Sequence, residues 1–402
     1  MQVAVIGGGA AGFFAALNIH QFHPEAKVTI FEKTGKLLSK VKVSGGGRCN
    51  VTTDKTNPKE LVNFYPRGKK ELISPFFAFN PTHTEEWFKA KGIELKTEPD
   101  GRVFPKSNSS QTIIDCFLNE AEKLNIDIQL HHQVQKITPK NEQLQIDFVN
   151  GKNMLFDKVI VAVGGHHKEE FYNIFKELGH TIISPIPSLF TFNLPKNPIV
   201  ELMGISVENA TVTIPHTKQE STGPLLVTHW GMSGPAVLKL SAICAKELFA
   251  VNYQFTYTVN WLSQRFNQVL EQLNQLKKNH PKKQLINLNQ FGLPNRLWEF
   301  LLKKANINAQ KNAAELSAKE IEQLATTLTK DEYHANGKTT FKEEFVTAGG
   351  IDLKEIDFKT MQSKKVKHLY FAGEVLNIDG LTGGFNFQAC WTGGYIASKL
   401  AD

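Results

Sequence analysis

Three glycines, Gly7, Gly9 and Gly12, stand in the spacing G-x-G-x-x-G inside "VAVIGGGAAG", and an acid, Glu32, follows 20 residues after the last of them. That pattern suits the handling of a pyrophosphate. One glycine makes a tight turn, one leaves no side chain in the way of the anion, and one lets a helix pack closely on a strand. Ala11 lies inside this turn. The helix that follows offers free N–H groups and the positive end of its dipole. Glu32 can accept hydrogen bonds from adenosine ribose hydroxyls and repels a 2′-phosphate, which argues against NADP in this pocket. Lys33 sits beside it. These features do not choose between NAD and FAD.

A second glycine cluster, Ser44, Gly45, Gly46, Gly47, Arg48, Cys49 and Asn50, follows a basic stretch with Lys36, Lys40 and Lys42. Successive glycine N–H groups can form an anion-binding nest, and Lys40 and Arg48 add charge. An NAD-only dehydrogenase needs no such second loop, whereas FAD is long, lies extended and must be covered. Cys49 invites a redox role, but no second cysteine lies near it, and a small packing residue is the plainer reading. A third cluster, "GEVLNIDGLTGGFNFQACWTGG", comes late. In a flavoprotein of the two-dinucleotide-binding type, a pair such as Gly373-Glu374 lets backbone approach the ribityl chain while the acid accepts from a hydroxyl. Gly384, Asn386, Phe387 and Gln388 open a helix whose N–H groups can face a flavin carbonyl and favour an anionic reduced ring. Gly393 and Gly394 are expected to serve helix packing. No general base is identifiable; the catalytic candidates are Cys49 and His229.

These residues need elements to place them. Val3–Ile6 reads as a buried parallel strand, Phe13–Ile19 as an apolar helix and Val28–Phe31 as a second strand, a complete βαβ unit. Residues 111–125 read as an amphipathic helix. "IDIQLHHQVQKITP" and "LQIDFVNGKNMLFDKVIVAVGG" read as strands, with a turn at Asn150-Gly151. Val134 is placed to touch an adenine edge with its backbone. "DKVIVAVGG" ends a buried strand at Ala162 to Gly165, and Gly164 there suits a second close approach to the cofactor. His131 and His132, on opposite faces of a strand and without a third ligand, do not read as a metal pair, and no metal site is expected.

Composition shifts at Pro185, where "SPIPSLFTFNLP" reads as a boundary. Residues 190–258 alternate like antiparallel strands. They include "THWGMSGPAVLKLS", in which Ser233 is placed to cap a helix with Pro235 in its first turn, and His229 to face substrate. Residues 261–330 read as helices with eleven Lys or Arg against five Glu, an excess of six in a chain of net charge +7. A solvated helical face explains this, and an RNA-binding surface is the sharper alternative, weakened by the lack of interleaved aromatics. The four cysteines form no C-x-x-C pair, the first residues enter a strand directly, and no apolar run is long enough to span a membrane. A cytoplasmic protein is expected.

The chain resembles the BaiN-like flavoproteins, also called aminoacetone-oxidase-type FAD-binding enzymes. "VIGGGAAG", "VSGGGRCNVT", "VAVGG", "THWGMSGPAVLKLS", "VTAGGI" and the late glycine stretch carry the resemblance nearly end to end. It implies an α/β fold: a discontinuous Rossmann-like FAD domain of the two-dinucleotide-binding type, interrupted by a β-barrel-like and a helical insert. The expected division is 1–190 with 342–402 for FAD, 191–258 with 331–341 for the β-rich insert, and 259–330 for the helical one. It implies FAD at Gly7, Gly9, Gly12, Glu32, Ser44–Asn50, Gly373, Glu374 and Gly384–Gln388, and leaves the substrate open. The resulting expectation is an FAD-dependent oxidoreductase of a small molecule. A second G-x-G-x-x-G is absent, so NADH or NADPH would bind transiently at the flavin face. The rivals are an NAD-only dehydrogenase and a flavin-bound RNA-binding or regulatory protein using residues 261–330. Oligomeric state is not legible.

Overall fold

The computed structural model describes residues 1–339 and 346–401. They fall into two compact units, one of residues 1–188 with the chain after 340, the other of residues 189–340. The return to the first unit expected near residue 342 lies outside the described residues.

The first unit is built on a seven-stranded sheet. Five of its strands are parallel, in the order Leu369–Phe371, Lys158–Val161, Gln2–Ile6, Lys27–Phe31, Asp127–Gln129. Val3, Val5, Val159 and Val161 are wholly buried, as parallel strands covered on both faces require. The chain steps from the first strand to one side and later returns to the other, so strand order reverses at Gln2–Ile6. Ligands of such sheets bind outside the carboxyl ends at this reversal. The helix Ala10–Phe22 leaves the first strand directly, and the C-terminal helix Phe385–Ala397 lies against it. A Cβ on Gly394 would stand 2.9 Å from the Ala11 carbonyl oxygen and 3.2 Å from the Ala15 nitrogen, so the lack of a side chain there sets the helix spacing.

One local expectation gains detail and two need correcting. Pro185 and Pro187 lie within a strand, Ile182–Ser188, which pairs antiparallel with Val346–Ile351. The register shift between Ile183 and Ile186 accommodates the missing N–H, and the division between the two units falls within the proline-rich stretch, after Ser188. His131 and His132 lie between the strands Asp127–Gln129 and Val134–Lys140, with His131 at φ +57°, so strand alternation does not apply to them. Ser233 does not cap a helix. It ends the strand Gly231–Ser233, its Oγ accepts from Thr191 Oγ, and Gly234 holds the N-cap position of Pro235–Ile243.

The second unit has a seven-stranded sheet, antiparallel throughout, with strands 331–336 and 338–339 at its two ends. Gly337 joins those ends: its N–H donates to Tyr253 O and its carbonyl accepts from Asn193 N–H, so the sheet curls round on itself. Helices Phe266–Asn279, Asn295–Lys304 and Ala318–Thr329 follow, and their apolar faces share one core with the sheet through Trp261, Trp298 and Tyr333.

A buried histidine ties distant segments of the first unit. His180 Nδ1 lies 3.0 Å from Glu355 Oε2, and Nε2 lies 3.0 Å from Ser363 Oγ. The carboxylate accepts only, so Nδ1 carries the proton and Nε2 accepts from Ser363. Burial pushes Glu355 up, but Lys365, Thr181 and His180 outweigh it and hold the carboxyl at about 2, below its usual 4.5. A depressed folded pKa stabilises above pH 4.5 and ceases to as pH falls toward 2. The shift corresponds to at most about 3 kcal/mol. Glu355→Gln is therefore expected to lower stability most at pH 7, with the gap to wild type closing below pH 4.5, read from denaturant melts across pH.

Candidate functional site: a dinucleotide cleft

The carboxyl ends of the parallel strands carry the first glycine cluster. Gly7 N–H donates to Phe31 O at 2.8 Å, and a Cβ there would meet the Ala162 carbonyl oxygen at 2.4 Å. A Cβ on Gly12 would stand 1.9 Å from Gly7 O. Both glycines are thus demanded by the protein's own packing. Gly9 differs: it begins the helix with φ −99°, and a Cβ there would meet nothing within 4 Å. Gly164, past the neighbouring strand, is likewise open. The free N–H groups of the helix therefore face a space the protein leaves clear.

Glu32 ends the second strand and turns back to this loop. Its Oε2 accepts from Gly8 N–H at 3.0 Å, and its Oε1 accepts from Thr34 N–H and Oγ–H, both at 2.9 Å. Three of about four acceptor positions are used, which leaves capacity for a ribose hydroxyl. Beside Glu32 opens a cleft of about 330 Å³, lined by Gly7, Glu32, Lys33, His132, Val134 and Phe171 among others. Lys33 Nζ lies over the Phe171 ring, 5.1 Å from its centre. His132 Nδ1 donates to Leu130 O at 2.8 Å, and its buried Nε2 has no partner among the described residues. His132 and Phe171 were missed as cleft residues. Only the closeness of His132 to Val134 in sequence hinted at the first.

The second glycine cluster is a kinked helix end rather than an open loop. Ser39–Gly47 breaks at Ser44, whose ψ is 147°, and Gly45 and Gly46 are left-handed at φ +58° and +68°. Only glycine takes two such residues in succession cheaply. Cβ atoms on Gly46 and Gly47 would meet nothing within 4 Å. Lys40, in the first turn of this helix, reaches Glu374 at 2.6 Å across 334 residues. Glu374 Oε1 also accepts from Thr347 N–H at 3.2 Å. Thr347 is fully buried, and its hydroxyl has no partner among the described residues. It stands in the stretch "VTAGGI", to which no role was attached from sequence. With its amide nitrogen toward Thr52 O and Val103 O, Asn50 accepts from Gly384 N–H at 2.8 Å, linking the second and third glycine clusters.

Other expected cofactor residues have structural partners. Arg48 pairs with Glu98 at 2.6 Å and lies over the Phe104 ring. Ser44 Oγ–H donates to Val41 O at 2.9 Å. Gly373 faces Ala11, whose Cβ would lie 2.9 Å from an added Cβ. Asn386 exchanges two hydrogen bonds with Gly380, and Phe387 stacks on Trp391. Gln388 is buried: its Oε1 accepts from Thr52 and Thr84 hydroxyls, and its Nε2 donates to Thr392. Cys49 is fully buried, and burial pushes its thiol up to about 12 despite the Ser44 contact, so it stays protonated at neutral pH. His229 lies exposed in the second unit beside Trp230. The described residues contain no cluster able to hold a metal ion, and no helix among them is long and apolar enough to cross a membrane.

A parallel sheet with reversed order, a phosphate-clear helix start, a ribose-competent acid and a glycine-rich C-terminal helix define a dinucleotide-binding flavoprotein. The open position at Gly9 and the acceptor capacity left on Glu32 fit an extended FAD. The model of the family described as the HI0933-like protein Rossmann domain matches residues 1–400, and the chain belongs to that family of FAD-dependent oxidoreductases. The ribosomal RNA dihydrouridine synthase of Haemophilus influenzae (strain ATCC 51907 / DSM 11121 / KW20 / Rd) is 30% identical over 98% of this chain and 96% of its own. That of Escherichia coli (strain K12) is 28% identical over the same shares. A 3-dehydro-bile acid delta(4,6)-reductase of Clostridium scindens is 25% identical over 100% of this chain and 98% of its own. The fold is similar to that of 3-ketosteroid-delta4-(5alpha)-dehydrogenase from Rhodococcus jostii RHA1, with TM-score 0.52 and 12% identity over 100% of this chain and 96% of that one.

Proposed function

We propose that this chain reduces the C5=C6 bond of a uridine in ribosomal RNA, with NADH or NADPH as the electron source. The observation that carries the reading is the charge of the second unit. Lys278, Lys282 and Lys283 are exposed around the end of helix Phe266–Asn279, and no carboxylate among the described residues pairs with them. An uncompensated basic run of this kind suits a polyanion and is superfluous for a small neutral substrate. End-to-end similarity to two synthases of that name supports the same substrate.

The C5=C6 bond is conjugated with the C4 carbonyl, so it is electron-poor. When bound and reduced by NADH or NADPH, FAD would supply the hydride, and the substrate would gain that hydride and one proton from solvent. Gly9 and the start of helix Ala10–Phe22 would hold the pyrophosphate, Glu32 the ribose, and Glu374 with Lys40 the ribityl region. Cys49, held as a thiol, does not act as a thiolate at neutral pH.

The test is incubation of the reduced holoenzyme with rRNA from a strain lacking the gene, followed by mass spectrometry of the nucleosides. Dihydrouridine is expected to appear at a defined site. If it does not, while the same enzyme reduces a small conjugated enone, the RNA reading fails and a small-molecule reductase, the chemistry named for the Clostridium scindens relative, takes its place.

A further inference from the structure

The most conspicuous unabsorbed feature is an exposed aromatic pair in the second unit. Trp230 is 47% exposed, and the His229 ring lies 4.6 Å from it. A large aromatic left in water is commonly a flexible surface residue, but this one is not on a flexible segment. Thr228 Oγ accepts from the N–H groups of Trp230 and Gly231, at 3.3 and 3.2 Å, and donates to Gly231 O at 3.1 Å. Thr228 N–H also donates to Gly231 O at 2.7 Å, and Trp230 O accepts from Leu194 N–H at 2.8 Å. The turn is therefore tied at both ends and to the neighbouring strand. Its aromatic tip is held ready in water.

The surroundings combine apolar and basic groups. Met203 and Leu226 are also exposed, at 58% and 37%. Gly204 N–H donates to Val227 O, which brings Met203 beside the strand that leads into the turn. Lys196, two residues after Leu194, is exposed. Arg296 is exposed and spends one N–H on Glu201 O, at 2.9 Å, which places it near Met203. Glu201 and Glu299 are the acids bordering these residues. Proteins that bind single strands combine aromatic faces, on which bases stack, with cations that track phosphates. Residues 261–330 lack such aromatics; the turn supplies them.

We infer that His229 and Trp230 form a base-stacking platform for a single-stranded segment of the RNA substrate, with Lys196 and Arg296 as phosphate contacts. The inference rests on the RNA reading above. It assigns His229 to substrate binding and not to proton transfer.

The probe is a single-stranded oligouridylate, titrated into the holoenzyme and followed by tryptophan fluorescence and by filter binding at several salt concentrations. Trp230→Ala is expected to weaken binding about tenfold with an unchanged salt slope, because stacking displaces no counterions. Trp230→Phe, which keeps a ring, should stay within about threefold of wild type. Arg296→Gln should reduce the salt slope by about one. FAD stoichiometry and melting temperature of each variant identify any that misfold. Equal binding by wild type and a folded Trp230→Ala, or equal losses in Trp230→Ala and Trp230→Phe, would overturn the platform. If wild type forms dihydrouridine in rRNA but Trp230→Ala binds and reacts equally well, the platform falls and the RNA reading stands. If wild type neither binds oligouridylate nor forms dihydrouridine, both fall.

Discussion

Gly9→Val protein is expected to fold and to lose FAD. The two effects separate at this residue because the protein leaves it unopposed. The backbone at Gly9 is at φ −99°, ψ −168°, which any residue adopts, and an added Cβ would meet nothing within 4 Å. An apolar residue at a helix N-cap costs about 1 kcal/mol relative to glycine, so the apoprotein should melt within a few degrees of wild type. A bound pyrophosphate at this turn would meet the new side chain directly. Overpacking of about 1–3 kcal/mol corresponds to roughly 5- to 150-fold weaker binding. Gly12→Ala is the informative contrast. Its Cβ would stand 1.9 Å from Gly7 O, so that variant should lose stability even without cofactor. The measurements are FAD absorbance of the purified proteins, titration of apoprotein with FAD, and melting of the apoproteins. A Gly9→Val protein that binds FAD like wild type would place the pyrophosphate elsewhere.

The contrast between Gly9 and Gly12 also shows what a sequence can convey. G-x-G-x-x-G, the strand before it and Glu32 after it are local, and their spacing alone encodes turn, helix and acid. The βαβ unit was therefore legible from Val3 to Glu32. The partners of the later glycine clusters were not, because they depend on packing between segments hundreds of residues apart. Gln388 was placed at the cofactor through the N–H groups of its helix start, but its side chain's ties to Thr52, Thr84 and Thr392 were not legible. Ser233 followed by Gly-Pro looked like a cap until Thr191 and the strand pairing claimed it. Pro185 and Pro187 marked a boundary but not the strand that leads up to it, because sequence does not reveal which strand N–H groups a neighbour needs. Thr347 stood in "VTAGGI" with no role attached to it, and only its burial beside Glu374 singles it out. Exposure was equally hidden: "THWG" suggested a histidine facing substrate, while the structure leaves Trp230 as the larger exposed group.

Removing the Arg67 side chain should be the most damaging single change to the first unit outside its glycines. Asp379 is wholly buried and Arg67 nearly so, and the guanidinium grips both carboxylate oxygens. Ser188 Oγ–H adds a third hydrogen bond at 2.7 Å, so three segments meet on one carboxylate just before Gly380. Taking away one partner of a buried pair strands the other charge and costs about 3–5 kcal/mol, far more than the pair contributes when intact. Burial already pushes Asp379 up from its usual 3.8, with Arg67 and Ser188 pulling the other way. In Arg67→Ala only Ser188 of these remains to oppose it, so the carboxyl rises further. A raised folded pKa stabilises below the unfolded value of 3.8 and loses that contribution as pH climbs through the folded value. The variant's deficit should thus widen from pH 4 toward neutrality, here because a raised carboxyl is forced to ionise and not, as at Glu355, because a depressed one is lost. Arg67→Met with Asp379→Leu removes both charges and should recover much of the loss, since apolar replacement of a buried pair is often neutral. Denaturant melts of the single and double variants at pH 5 and pH 7.5 would show it. A double variant no more stable than Arg67→Ala would mean that the hydrogen bonds at Asp379, and not the buried charge, hold this junction together.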